Sequence, residues 1–233
     1  MKISLLNVIP ANRIWFSLIL MFFIFNIANA QNTTKQATLE RAENAIRTLS
    51  DGILVVRLQS NQKKIKALED LVENKKMSAR NLKNLNRELE ETKINTKEKN
   101  SLLMKSFADN YNFSDVLFMY DYDTEKLLTA EQEGYFLGKD LIVDAKLSLN
   151  DNNFLTLRFG TTDLATTSGV EGMIITDQEL KDLDIPFPYA YKEGGFMYVF
   201  DKLFDGKNAA GRNYPRIIAR MNKKLKKYYN EVE

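Results

Sequence analysis

Residues 61–110 read NQKKIKALEDLVENKKMSARNLKNLNRELEETKINTKEKNSLLMKSFADN. The stretch contains no Gly and no Pro, and it is dense in Lys, Glu and Asn. Such residues favour helix throughout. A short apolar run lies on each side: Ile53-Leu54-Val55-Val56-Arg57-Leu58 before it and Val116-Leu117-Phe118-Met119-Tyr120 after it. Runs of that length and composition read as buried strands. The expected fold is therefore α/β: a small mixed central sheet, a long helical arm inserted between its first two strands, and a C-terminal amphipathic helix.

The arm has an apolar seam through Ile65, Leu68, Val72, Ala79, Leu82, Leu89, Leu103 and Phe107. Lys75, Asn86, Lys93, Thr96 and Asn100 interrupt it, which argues against a strong coiled coil. A single straight helix would run roughly 70 Å and carry the flanking strands far apart. For both to share a sheet, the arm must fold back as a hairpin. Residues 74–78 and 92–96 are the places where short polar side chains compete for the backbone. A charged hairpin of this kind is either a solvated pair whose narrow seam closes on itself or a docking arm for a protein partner.

The amino terminus has the form of a secretory leader over residues 1–30. Lys2 and Arg13 precede an apolar core, IWFSLILMFFIFNI, and Ala28-Asn29-Ala30 supplies a small-x-small cleavage site. The core is too short for a comfortable membrane span. An exported product beginning at Gln31, periplasmic or secreted, is expected, with no membrane insertion after cleavage. Removing Lys2 and Arg13 lowers Lys+Arg from 33 to 31, equal to the 31 Asp+Glu. A neutral chain offers no electrostatic case for nucleic acid.

The chain has no Cys and no His. Disulfides, Ser-His-Asp and Cys-His nucleophile systems, and His/Cys sites for zinc, copper or haem are excluded. Carboxylates, Lys, Tyr, Ser and Thr remain, with hard metals bound through oxygen.

Beyond the arm, the patterning predicts a helix over 39–49 stopped by Ser50-Asp51-Gly52, a helix over 125–137, and a hairpin of 141–149 with 154–159. It predicts a short strand at Met173-Ile174-Ile175, a helical turn over 178–183 and an extended path through 185–189. Pro215 fits the first turn of the final helix. That helix has Ile217, Ile218, Met221, Leu225 and Tyr228 on one face and Arg220, Lys223, Lys224, Lys226 and Lys227 on the other.

Two resemblances follow from particular motifs. LVVRL with Ser60-Asn61 and Lys64-Ile65, then Phe107 with Tyr111-Asn112-Phe113-Ser114-Asp115-Val116-Leu117-Phe118, then Pro186-Phe187-Pro188-Tyr189, resemble exported proteins of the Bacteroidota that have no assigned activity. That likeness implies export and an α/β core with an inserted arm, and no site residue. Separately, Val116 to Thr124 is an apolar strand ending in D-x-D-x-T, which looks like the first motif of haloacid-dehalogenase-type phosphatases.

The second resemblance implies Asp121 as nucleophile and Asp123 as general acid/base, pointing the same way on an extended segment. Gly172-Met173-Ile174-Ile175-Thr176 resembles the second motif, with Thr176 on the phosphate. Lys181 or Lys192 would neutralise charge, and Asp201 and Asp205 would complete a Mg²⁺ site with the first two carboxylates. In that family the first motif opens the domain, whereas here a strand and a long arm precede it. A glycosidase-like carboxylate pair drawn from Glu131 or Glu133 with Asp177 has no spacing to support it.

The leading expectation is a soluble exported protein with a non-catalytic binding or assembly role in the cell envelope, exerted through arm 61–110, and with no cofactor. The Mg-dependent phosphatase is the alternative.

Overall fold

The computed structural model describes residues 35–73, 77–161, 171–192 and 213–233. The leader expected over 1–30 lies outside the described residues, as do Asp201 and Asp205. Contacts divide the chain into Met1–Arg41 and Ala42–Glu233. Residues 35–50 are helical; α1 denotes residues 42–50, the part inside the larger unit.

Five strands form one mixed sheet in the order β2-β1-β3-β4-β5. They are β1 (Ile53–Leu58), β2 (Asp115–Tyr120), β3 (Phe154–Thr161), β4 (Glu171–Thr176) and β5 (Ala190–Lys192). β1 runs parallel to β2 on one side and to β3 on the other. β3–β4 and β4–β5 are antiparallel. Central placement explains the apolar run Ile53-Leu54-Val55-Val56 of β1, since both its faces are covered. Leu54, Val56 and Leu58 face a core with Ile46 and Leu49 of α1. Leu103 and Phe107 of α3 (Ala79–Asn110) and Met221 and Leu225 of α5 (Tyr214–Val232) complete that side. Ile53 and Val55 face the other side, against Met119, Leu127, Tyr135, Phe136 and Leu149.

Parallel neighbours need a long crossover, and the arm supplies it. α2 (Gln62–Glu73) and α3 fold back on each other. Ser78 is the N-cap of α3, its side chain accepting from the Asn81 N–H. Of the two expected turns, the first is therefore used. At the second, Thr92 and Thr96 donate to the Glu88 and Thr92 carbonyls, 2.7 Å each, and remain helical. α3 spans about 48 Å at 1.5 Å per residue, and its two halves have different neighbours. The first half shares the seam with α2 through buried Leu68 and Leu89, flanked by Lys64–Glu88 at 3.1 Å and Lys93–Glu69 at 2.9 Å. The second half lies on the sheet. Only the distal part of residues 61–110 is thus an arm.

Three local expectations change. The helix expected over 125–137 shortens to α4 (Thr124–Leu128), because Ala130 (φ 59°) and Gly134 (φ 85°) turn left-handed. Residues 141–149 form no strand, only isolated bridges such as Leu137 with Val143 and Glu133 with Ser148. Residues 178–183 make a turn with Leu180 at φ 63° rather than a helix. The final helix begins as expected, with Pro215 in its first turn. Among the described residues, no helix is long and apolar enough to cross a membrane.

Candidate functional site at the carboxyl ends of β1 and β2

In open α/β sheets, ligands gather at the carboxyl ends of parallel strands. Here that position is built by polar groups that terminate β1 and β2. Asn100, buried on α3, donates through Nδ2 to the Gln59 carbonyl at 2.9 Å. Asp121 Oδ1 accepts from the Ser60 N–H at 3.1 Å. Asn61 is left-handed (φ 51°), and its Nδ2 donates to Thr96 Oγ1 at 2.8 Å. The first two bonds satisfy backbone groups where β1 leaves the sheet, and the third ties the residue before α2 to α3.

A cleft of about 450 Å³ opens between these strand ends, the hairpin and the loop at 140–142. Ile65, Tyr120, Leu141 and Ile142 give it apolar surface, and Ser60, Lys93, Lys97 and Asn100 give it polar groups. Tyr122 stacks on Tyr120, ring centroids 5.3 Å apart and planes at 23°. Tyr122 is nevertheless 51 % exposed and Ile142 65 %. Tyr120 Oη donates to the Leu141 carbonyl at 3.4 Å, tying the loop to β2. Burial raises both tyrosines above the ordinary phenol range, and Asp123 reinforces this at Tyr122. Both phenols are therefore neutral donors at physiological pH. Lys93 is held by Glu69.

The two carboxylates of the D-x-D-x-T segment are close in sequence but differently employed. Asp121–Asp123 form a single 3-10 turn instead of continuing the strand, so the same-side geometry of an extended segment does not arise. Asp121 holds Ser60, and the Thr124 hydroxyl donates to the Asp121 carbonyl at 2.5 Å. Asp123 is buried and paired with Lys126 at 2.8 Å.

Thr176 is buried, and its Oγ1 donates to the Thr156 carbonyl at 3.2 Å. It ends β4, which is antiparallel to β3, so it pairs with Thr156 near the amino end of β3. The structure does not bring Thr176 to Asp121: two strands, β1 and β3, lie between β2 and β4, and Thr176 sits toward the amino end of β3 while Asp121 follows the carboxyl end of β2. Lys181 lies in the turn after β4, its N–H donating to Asp177 Oδ1 at 2.7 Å. Lys192 ends β5. Glu131 and Glu133 sit in the connection after α4, where Tyr135 Oη donates to the Glu131 carbonyl at 2.7 Å. Among the described residues, no group of three or more carboxylates is placed to hold a metal ion.

Sequence reasoning passed over two arginines. ILVVRL and FLTLRF each place an Arg late in an apolar strand, and a repeated charge in a buried run is the signal that could have found them. Arg57 and Arg158 follow directly on the paired Val56 and Leu157. Arg158 is buried and bonded through Nη2 to Asp182 Oδ1 at 2.7 Å. Arg57 is half-buried, and its Nε is buried with no hydrogen-bond partner among the described residues. Burial lowers its proton affinity, Asp121 opposes that, and Arg158 adds to it. It stays charged at neutral pH. An unmet buried donor costs about 1–3 kcal/mol, more for a charged group.

No family model, curated protein or solved structure matches the chain.

Proposed function

We propose that this chain is an exported, non-catalytic binding protein that holds a small ligand in the cleft at the carboxyl ends of β1 and β2, with the helical hairpin as one wall. The observation that carries the reading is Tyr122: an aromatic face half open to solvent, backed by Tyr120, beside Lys97 and Asn100. A volume of about 450 Å³ falls in the range of small-molecule sites. The ligand class that fits has a flat apolar face to lie on Tyr122 and an anionic group to meet Lys97. A protein partner on the outside of the arm has less support. Its large exposed apolar residues among those described are Leu71 and Ile94, and isolated surface residues of this kind are ordinary.

The test is a thermal melt with 4-methylbenzoate and, as its neutral counterpart, 4-methylbenzamide. Saturation at a hundred times Kd adds about 2.7 kcal/mol, on the order of 5–10 °C for a chain of this size. The benzoate is expected to give the larger shift, lost in Tyr122→Ala and reduced in Lys97→Gln. No shift with either probe overturns the ligand class. Mg²⁺-dependent turnover of a phosphate ester that disappears in Asp121→Asn overturns the non-catalytic reading.

A further inference from the structure

Arg57 and Arg158 lie side by side on adjacent parallel strands, one position beyond the pair Val56–Leu157. Alternation along β1 puts Arg57 on the face of Ile53 and Val55, opposite Leu58 and the Tyr120 side of the cleft. Arg158 reaches along its strand: a Cβ on Gly160 would lie 2.6 Å from Arg158 Nη1. Its guanidinium therefore covers Gly160, toward the carboxyl end of β3. Among the described residues Asp182 takes Arg158, while Asp121 acts on Arg57 through space without a bonded contact and gives its Oδ1 to Ser60. Neighbouring like charges repel, and among the described residues the buried Nε–H of Arg57 is unmet, so an anion that joins the two guanidinium groups is favoured. The planar guanidinium fork suits a two-oxygen acceptor.

We propose that Arg57 and Arg158 together bind an oxyanion, a carboxylate or a phosphate group, at the carboxyl ends of β1 and β3, on the sheet face away from the tyrosine cleft. The site does not depend on the cleft's ligand.

The experiment follows the Arg57 Nε–Hε resonance, assigned by its loss in Arg57→Lys. Sodium phosphate and sodium acetate are titrated separately at pH 7, with sodium chloride holding ionic strength constant. A saturable shift with either anion is expected, and the anion that saturates at the lower concentration identifies the acceptor as phosphate or carboxylate. Gly160→Ala displaces the flexible end of Arg158 and is expected to weaken binding by about tenfold or more, while Tyr122→Ala leaves it unchanged. Because the signal is read on the unaltered protein, it does not depend on whether a variant folds. A shift that stays linear, or that chloride reproduces, overturns the proposal. So does saturation that Gly160→Ala leaves untouched.

Discussion

At the scale of single residues, Asn100 shows how a polar side chain in a helix seam is used. It reads in sequence as a break in the apolar pattern, and in the fold it is 5 % exposed and bonded to the Gln59 carbonyl. Asn100→Ala leaves that carbonyl and its neighbourhood unmet, and urea unfolding is expected to show a loss of about 1–3 kcal/mol. Tyr135 makes a second prediction. It is fully buried, and its phenol is pushed up to about 12, by burial first and then by Glu131 and Asp123. A group whose folded value is raised gives its full stability below its unfolded value, near 10, and loses it as pH rises toward 12. Melting temperature should therefore fall from about pH 10 upward, and Tyr135→Phe should flatten that fall. Asn100's role was not legible in advance, because it depends on where β1 leaves the sheet. The paired arginines were legible as a repeated pattern, but their adjacency needed the parallel register of β1 and β3.

At the scale of elements, the hairpin follows from the lack of Gly and Pro in residues 61–110 and from the need for β1 and β2 to be neighbours. The turn ending at Ser78 was readable from its short polar side chains, and the cap that Ser78 makes was not. Thr92 and Thr96 were not decisive, because a Thr hydroxyl can bond back within a helix as readily as it breaks one. The helix expected over 125–137 failed for a comparable reason: Ala130 has high helix propensity, and only tertiary packing places it left-handed. The arm's stability should reside in its seam rather than its charges. Leu68→Ala is expected to cost about 2–4 kcal/mol. Lys93→Ala, which removes an exposed pair with Glu69, should change stability by less than about 1 kcal/mol. Chemical denaturation of the two variants checks the contrast, and the reverse order would mean that ion pairs hold the arm.

At the scale of the whole molecule, the composition and the architecture act together. The mixed sheet with its inserted hairpin was legible from two apolar runs and the helix between them. The cleft was not, because Ser60, Lys97, Tyr122 and Leu141 come from four separated segments. With no His and no Cys in the chain, no side chain with an ordinary pKa titrates between about pH 6 and 8. Melting temperature, measured without a histidine tag, should be level across that interval to within about 2 °C. A pronounced slope would reveal a carboxylate or lysine strongly shifted by its surroundings.

The most direct test of ligand binding at the carboxyl ends of β1 and β2 is amide chemical-shift mapping with 4-methylbenzoate. Changes are predicted to concentrate at Ser60, Lys97, Asn100, Tyr122 and Ile142, and to leave Thr176 and Lys181 unmoved. Changes centred on the turn after β4, or none at saturating probe, would contradict a binding cleft between the hairpin and the sheet.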